Sequence, residues 1–554
     1  MERLGLGNKF RIAICWKVWV IGVFVLSSGC WNMEGEDNGS GYSGYDGGFN
    51  SNNAGWPCDG GLASFDAGGS FGNLGTGGAQ DIGQFRKILD EGGIPGENTL
   101  SANGFFSEHY TELPPPDCGE SICLHGMLGI DRDWVYNTHQ VALQLAMNSP
   151  LDPTNFERRP LDLAVVVDVS GSMDSQDKIT FVRQGLHLLI NELENEDRLA
   201  LITYSDDVTT VFGLENTLDA TAMHYRVDAL DAGGSTNFHD GLETGFQIVE
   251  AVQDPERESR VIMISDGMPT AGITDMNQII SMAESHLNTD VGLTTIGVGL
   301  QFNVDLMRGL AERGAGNFYF LEDTAAIEEV FVEELSYFVT PVAFDLDLSV
   351  TLTAAYGLSE VVGTTLWSEV GNGGQIHIPA VFLASRTSHD DPPATSGEGR
   401  RGGGSAIIMA INPATNIEGI EDPYQVATIA LTYEDATDLQ QVSLDTTVTN
   451  PALPGVHPLS ANSPDPEAWV SHTAMRKNLA MYNIYLGLRE ACRRAVYNYN
   501  HALWVLDQLL DRAVTWNTDV EDEDIAIDIE LMEQFRSNLM SKDATAVAPP
   551  DLHP

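Results

Sequence analysis

Lysine and arginine are scarce in this sequence. Its 554 residues include 28 Lys and Arg against 80 Asp and Glu, which gives a formal net charge of −52. A surface with this balance repels phosphate backbones and anionic headgroups, so it argues against a nucleic-acid-binding protein and against electrostatic attachment to a membrane. Hydrophobic residues make up 43% and charged residues 19%, which indicates folded domains rather than a disordered chain.

Long apolar runs are also rare, and the N-terminus has the features of an export signal. Four basic residues precede the apolar run Val18–Leu26, and small residues follow it. The run is about half of the roughly 20 residues that a spanning helix needs. We therefore expect residues 1–29 to be a signal peptide, with a retained membrane anchor as the alternative.

The end of this segment resembles a bacterial lipobox, in which the cysteine is lipidated. The string is Leu26-Ser27-Ser28-Gly29-Cys30, and its Leu lies four rather than three residues before the cysteine. Lipidation of Cys30 and signal cleavage without lipidation both remain open. Either outcome predicts an exported protein of the bacterial cell envelope, in the periplasm or lipid-anchored at the outer membrane. The only predicted membrane contact is this lipid or signal segment.

Cysteine is rare as well, with six in the whole chain. In an oxidising compartment Cys118 and Cys123 could close a small disulfide loop, and Cys58 and Cys492 could pair by elimination. The paired spacing of a zinc site is absent.

Composition and periodicity divide the chain into segments. Residues 31–80 contain 15 of the 55 glycines and no Lys, Arg or His, which is typical of a flexible linker. The predicted division is a signal peptide at 1–29, a lipobox cysteine and Gly-rich linker at 30–85, a β-rich unit at 86–160, an α/β domain at 161–340, an antiparallel β domain at 341–470, a helical segment at 471–545 and a tail at 546–554.

Apolar strands alternate with amphipathic helices in residues 161–340. The first strand, Leu163 to Val169, is apolar apart from Asp168. Such strands between helices indicate a parallel sheet covered on both faces. We therefore predict an α/β fold with a doubly wound, mostly parallel sheet, flanked by antiparallel β units and a C-terminal helical segment.

Three predicted loops at one edge of this sheet carry oxygen-bearing side chains. Asp168, Ser170 and Ser172 form a D-x-S-x-S string at the end of the first strand, Thr236 precedes a helix, and Asp266 follows another apolar strand. Ligand sites in doubly wound sheets form outside the carboxyl ends of the strands. His239 and Asp240 lie just past Thr236, and we interpret them as first-turn residues of a helix.

These five residues resemble the metal-ion-dependent adhesion site of the von Willebrand factor type A domain, over about residues 161–340. The resemblance implies that Asp168, Ser170, Ser172, Thr236 and Asp266 hold a divalent cation, and that a partner protein supplies an Asp or Glu to it. Oxygen donors suit Mg²⁺ above all, with Mn²⁺ and Ca²⁺ as alternatives. Short strings outside the domain, such as Leu479-Ala480-Met481-Tyr482-Asn483, resemble bacterial lipoproteins with a type A domain and an uncharacterised C-terminal domain.

The sequence favours a binding protein over an enzyme. It contains no H-E-x-x-H motif and no G-x-x-x-x-G-K-[S/T] phosphate loop, so it supports neither a zinc protease nor a nucleotide hydrolase. We expect an extracytoplasmic, metal-dependent adhesion or protein-binding module without catalytic residues. The alternatives are an envelope metallohydrolase and a structural scaffold whose metal takes no part in recognition.

Overall fold

The computed structural model describes residues 72–151, 159–216, 220–254, 256–287, 291–300, 302–321, 326–327, 330–331, 341–384, 404–454 and 468–550. The predicted signal peptide, Cys30, Cys58 and the first part of the predicted linker lie outside these residues.

The described residues contain strands throughout and helices in three groups. The strands are β1 (Gly72–Gly75), β2 (Gly78–Ala79), β3 (Cys123–Arg132), β4 (His139–Ser149), β5 (Leu161–Asp168), β6 (Arg198–Tyr204), β7 (Val208–Asn216), β8 (Glu258–Ser265), β9 (Val291–Val298), β10 (Asn317–Leu321), β11 (Pro341–Leu352), β12 (Tyr356–Val362), β13 (Ser368–Glu369), β14 (Gly373–Leu383), β15 (Ile407–Pro413), β16 (Gln425–Asp435), β17 (Gln441–Thr449) and β18 (Trp469–Val470). The helices are α1 (Gly83–Asp90), α2 (Ala102–Ser107), α3 (Lys178–Glu192), α4 (Ala220–Asp228), α5 (Phe238–Glu250), α6 (Met276–Leu287), α7 (Val304–Arg313), α8 (Ala474–Ala495), α9 (Tyr499–Val520) and α10 (Glu523–Met540).

A mostly parallel sheet of seven strands forms the α/β domain. Its order is β2-β10-β9-β8-β5-β6-β7, and only β7 runs antiparallel to its neighbour. Side chains alternate between two apolar cores: Val165 and Val167 pack with α3 and α4, whereas Ala164 and Val166 pack with α5, α6 and α7. The predicted doubly wound fold is therefore confirmed.

The order of the strands creates a switch point beside β5. From β5 the chain proceeds to β6 on one side, and later returns to β8 on the other side. Crevices at such reversals, outside the carboxyl ends of the strands, are where ligands bind in this class of sheet. The residues that follow β5 and β8 are thus at the favoured position for a site.

The second sheet is antiparallel and has eleven strands. Its path is β12-β15-β4-β1-β14-β11-β16-β17, with β13 beside β14, and with β3 joining β4 to β18. Apolar side chains from β3 and β4 share one core with those of β11, β14 and β16. We call this eleven-stranded sheet, together with its apolar core, the sandwich. A second apolar core forms where other side chains of β3, β4 and β15 pack with α1, α2 and the C-terminal helices α8 to α10.

Two predicted boundaries are wrong. Residues 72–85 were assigned to the linker, but β1 pairs with β4 and β14 while β2 pairs with β10, and Leu74 and Ala79 are buried. The predicted units at 86–160 and 341–470 are not separate, because β3 and β4 belong to the sandwich. The start of the predicted β-rich unit, residues 86–107, is largely helical.

The predicted strand Leu163 to Val169 agrees with β5 to within two residues. The predicted helical segment at 471–545 contains three separate helices, α8, α9 and α10. Cys118 and Cys123 form a disulfide with Cα atoms 5.7 Å apart. Cys492 is buried and forms no disulfide with any described cysteine, and its suggested pairing with Cys58 involves a residue outside the described ranges. Within the described ranges, no helix is both long and apolar enough to cross a membrane.

Candidate metal centre

Two buried carboxylates follow neighbouring parallel strands. Asp168 is the last residue of β5, and Asp266 comes directly after β8. Because β5 pairs in parallel with β8, with Val167 opposite Ile264, their carboxyl ends meet at the same edge of the sheet. Asp168 and Asp266 are both at most 1% exposed.

The D-x-S-x-S loop continues from β5 across this edge. The backbone N–H of Ser170 donates to Asp168 Oδ1 at 2.8 Å, and the hydroxyls of Ser170 and Ser172 lie 3.0 Å apart. Ser172 Oγ donates to Asp266 Oδ1 at 2.7 Å. A chain of hydrogen bonds therefore joins the first loop to the third, and it runs from buried Ser170 to exposed Ser172.

The second loop brings Thr236 to the same place. Gly171 N–H donates to the carbonyl of Gly234 at 3.0 Å, which holds the first and second loops together. Thr236 Oγ1 and Ser172 Oγ both face Gly267, since a Cβ added at Gly267 would lie 4.0 Å and 3.9 Å from them. All five residues predicted from the sequence thus gather at one point on the sheet edge.

Neighbouring groups fix the orientation of Asp168. Its Oδ2 accepts hydrogen bonds from Ser265 Oγ at 2.9 Å and from Tyr204 Oη at 3.2 Å. Burial raises the pKa of Asp168, hydrogen bonds from Ser170 oppose the rise, and the Asp266 carboxylate adds to it. Burial and the nearby Asp168 also raise the pKa of Tyr204, so its hydroxyl remains a donor.

Asp266 has a cationic partner that the sequence did not reveal. Lys178 Nζ lies 2.7 Å from Asp266 Oδ2, and Lys178 is 4% exposed. Each oxygen of Asp266 therefore has its own partner, Ser172 on one side and Lys178 on the other.

The chemistry of these donors fits a hard divalent cation. The carboxylates of Asp168 and Asp266 and the hydroxyls of Ser170, Ser172 and Thr236 are all oxygen ligands, which Mg²⁺ prefers in proteins. Two buried carboxylates with one ammonium group leave a net negative charge at the site. Ser172 is exposed, so the site is open to an ion and to a further ligand from solvent.

A second group of metal-ligand side chains lies on the helix that follows Thr236. Donor atoms of His239, Asp240 and Glu243 all lie within 4.8 Å of one another. His239 Nδ1 is 2.9 Å from Asp240 Oδ1, and Asn237 Nδ2 donates to Asp240 Oδ2 at 2.9 Å. These are contacts of the first turn of α5, as interpreted from the sequence.

Three further residues of the site were missed: Lys178, Tyr204 and Ser265. Lys178 did carry a signal, because it opens α3 and a cation is unfavourable at the positive end of a helix dipole. A lysine at that position needs a local anion. Tyr204 and Ser265 end strands β6 and β8, where a polar side chain on an apolar strand marks the same sheet edge as Asp168.

Comparison with known proteins identifies the α/β domain. Residues 162–333 match the family model of the von Willebrand factor type A domain. The chain is 29% identical over 196 residues to the uncharacterized protein YfbK of Escherichia coli (strain K12), covering 35% of this chain and 34% of that protein. It is 26% identical over 200 residues to inter-alpha-trypsin inhibitor heavy chain H2 of Sus scrofa, covering 33% of this chain and 21% of that one.

A solved structure shares more of the chain at lower identity. The von Willebrand factor type A protein from Catenulispora acidiphila is 14% identical with a TM-score of 0.44, and the match covers 72% of this chain and 88% of that one. The two relatives above are matched over only 34% and 21% of their own lengths. The similarity to them is thus confined to part of each protein. The chain therefore contains a von Willebrand factor type A domain, at residues 162–333.

Proposed function

We propose that this protein binds a partner protein through a divalent cation held by its type A domain. The observation that carries the proposal is the convergence of Asp168, Ser170, Ser172, Thr236 and Asp266 from three loops. Proteins with this domain commonly mediate metal-dependent protein interactions, which supports the same conclusion. Mg²⁺ is the ion that the oxygen donors favour.

The partner supplies an Asp or Glu side chain. Asp168, Ser170 and Ser172 would hold the ion directly, and Asp266 and Thr236 would act directly or through water. The bound ion would supply a concentrated positive charge at an otherwise acidic surface. Exposed Ser172 sits at the open side of the site, where a carboxylate from another molecule can approach.

We propose a binding role rather than catalysis. In the described part of the chain, the reactive groups at the site are the metal-ligand oxygens, the Tyr204 hydroxyl and the ammonium of Lys178, and Lys178 is engaged by Asp266. No hydroxyl of Ser170 or Ser172 has a histidine among its hydrogen-bond partners in the described residues. Histidine is a common general base for a serine nucleophile.

We further propose that the protein works outside the cytoplasm, attached through the N-terminal segment. This rests on the signal-like residues 1–29 and on Cys30. The disulfide between Cys118 and Cys123 supports it, because such bonds persist in oxidising compartments.

Titration of the purified full chain with Mg²⁺ and Mn²⁺ by calorimetry tests the metal site. We expect binding by the wild type and by Asp174→Ala, which removes an exposed carboxylate from the same loop, and no binding by Asp168→Ala. Absence of binding by the wild type, or equal binding by Asp168→Ala, contradicts the proposal.

A crosslinking pull-down from envelope extract tests the partner. We expect one set of proteins to be captured by the wild type with Mg²⁺ and lost both in EDTA and with Asp168→Ala. Partners that are retained in EDTA would instead indicate a structural scaffold. Metal-dependent turnover of a peptide or phosphoester substrate that Ser170→Ala abolishes would indicate a hydrolase.

A further inference from the structure

Lys178 is buried beside the metal centre at some cost to the fold. It is the first residue of α3, whose first turn has no acidic residue, and it is 4% exposed. Removing an ammonium group from water is unfavourable, and so is placing a cation at a helix N-terminus. The contact between Lys178 Nζ and Asp266 Oδ2, 2.7 Å long, is what offsets both.

The fold also makes room for this side chain. Gly299 follows β9 with φ of +75°, and a Cβ added there would lie 2.6 Å from Lys178 Cε. Any larger residue at Gly299 would thus collide with the lysine stem. Lys178 therefore packs beside Gly299 and reaches Asp266, and it does not reach solvent as surface lysines do.

The charges at the site explain what Lys178 does. Asp168 and Asp266 are two buried carboxylates whose charges repel one another, and a divalent cation would relieve that repulsion. Lys178 already relieves part of it. We propose that Lys178 is a built-in counter-ion that stabilises the metal-free domain and weakens its affinity for divalent cations.

A weakened ion affinity has a consequence for partner binding, and this step rests on the proposed function. If the protein alone holds the ion loosely, a partner carboxylate that adds a ligand strengthens the binding of the ion. Thermodynamic linkage requires the ion to strengthen partner binding by the same factor. Lys178 therefore makes occupancy by the ion depend on the partner. A site with two unpaired carboxylates would hold the ion whether or not a partner is bound.

Replacement of the lysine by an apolar residue of similar length tests the counter-ion role. We expect Lys178→Met in the full chain to bind Mn²⁺ roughly tenfold or more tightly, because a nearby positive charge is removed. We also expect its thermal midpoint without metal to fall, and the midpoint to recover when Mn²⁺ is added. A purely structural role predicts weaker rather than tighter ion binding, so the sign of the change decides.

The chain offers a matched control in Lys477. This lysine of α8 is 8% exposed, and its Nζ lies 2.7 Å from Asp524 and 2.9 Å from Asp522. Lys477→Met should lower the thermal midpoint and leave the Mn²⁺ affinity unchanged, since Lys477 and its two carboxylate partners lie outside the type A domain. A change of ion affinity in both variants would mean that loss of stability alone causes it.

A Lys178→Met protein whose Mn²⁺ affinity equals or falls below that of the wild type would overturn the inference. If that variant does not fold, Lys178→Gln keeps a hydrogen-bond donor without the charge, and unchanged affinity in it has the same meaning. Failure of the proposed function is distinguishable, because in that case the wild type itself binds no ion.

Discussion

Glu312 of α7 accepts a hydrogen bond from the backbone N–H of Thr365, 2.7 Å away in the loop between β12 and β13. The same carboxylate accepts from the hydroxyls of Thr364 and Thr365. Glu312 is 3% exposed. This buried carboxylate is thus one of the contacts that join the type A domain to the sandwich.

Removal of the Glu312 carboxylate should lower the stability of the protein without changing its ion affinity. We expect Glu312→Ala to lower the free energy of unfolding by about 3 kcal/mol, because buried donors lose a charged acceptor. Urea unfolding measures the change. The Mg²⁺ affinity should be unaltered, since Glu312 contacts none of the five site residues in the described structure.

Glu284→Ala is the control for this variant. Glu284 pairs with Arg313 near the same end of α7, but its side chain is about half exposed. Surface pairs contribute little, so the free energy of unfolding should change by less than about 0.5 kcal/mol. If both variants lose the same free energy of unfolding, the contact of Glu312 with Thr364 and Thr365 does not stabilise the protein as predicted.

A substitution at Leu74 tests whether the folded part of the chain begins at β1 and not at residue 86. It lies in β1, pairs with Leu383 of β14 and is 1% exposed. We expect Leu74→Ala to cost about 3 kcal/mol in urea unfolding, the usual price of a large-to-small change in a core. Val370→Ala, at a residue that is 56% exposed, should change little. If Leu74→Ala leaves the free energy of unfolding unchanged, residues 72–75 are better described as part of the linker.

Asp162 should make stability depend on pH at the opposite end of β5 from the metal centre. Burial raises the pKa of Asp162, but hydrogen bonds and charge from Arg198 and Arg257 outweigh burial and hold that pKa below its ordinary value. Asp162 Oδ1 lies 2.6 Å from Arg198 Nε and 2.7 Å from an Arg257 Nη. A lowered pKa means that Asp162 stabilises the fold above its ordinary pKa, and that this contribution is lost as pH falls through the lower folded value.

We therefore expect Asp162→Asn to lose about 3 kcal/mol of stability at pH 7, because two guanidinium groups lose their carboxylate. The difference from the wild type should shrink below about pH 4, the ordinary pKa of Asp. Unfolding measured at a series of pH values checks both. A difference that does not vary with pH would show that the carboxylate charge is not what Asp162 contributes.

The Cys118–Cys123 disulfide should stabilise a contact with the sandwich. Between the two cysteines, Ser121 Oγ donates to Asp435 and lies 3.2 Å from Tyr433 Oη. A loop this short predicts a loss of about 2 kcal/mol when both cysteines become serine. Reductant should lower the thermal midpoint of the wild type to that of the double serine variant, and it should leave the double variant unaffected.

Local pattern was enough to predict the α/β domain and the edge of the sheet where its site lies. The apolar runs before Asp168 and before Asp266 each indicate a parallel strand, and their ends mark that edge. The family resemblance identified the five residues as a set, and it was needed most for Thr236, whose loop has no apolar strand before it. These inferences need only a few consecutive residues.

Long-range pairings were not predictable in the same way. β1 contains two glycines among its four residues, and it is held by backbone ladders to β4 and β14, which composition cannot reveal. β3 and β4 belong to the same sheet as β11 to β17. These two sets of strands lie about 200 residues apart in the sequence, on either side of the type A domain. Lys178 and Asp266 are 88 residues apart, so neither indicates the other.

The short segment from β1 to β2 has a mechanical consequence. Gly72 pairs with Ser149 in the sandwich, and six residues later Gly78 pairs with Asn317 in the parallel sheet. Tension applied to the chain before Gly72 would therefore load the sandwich first, and would reach the parallel sheet only after the β1 ladder has separated. Under the proposed attachment through the N-terminal segment, β1 would protect the type A domain from that load.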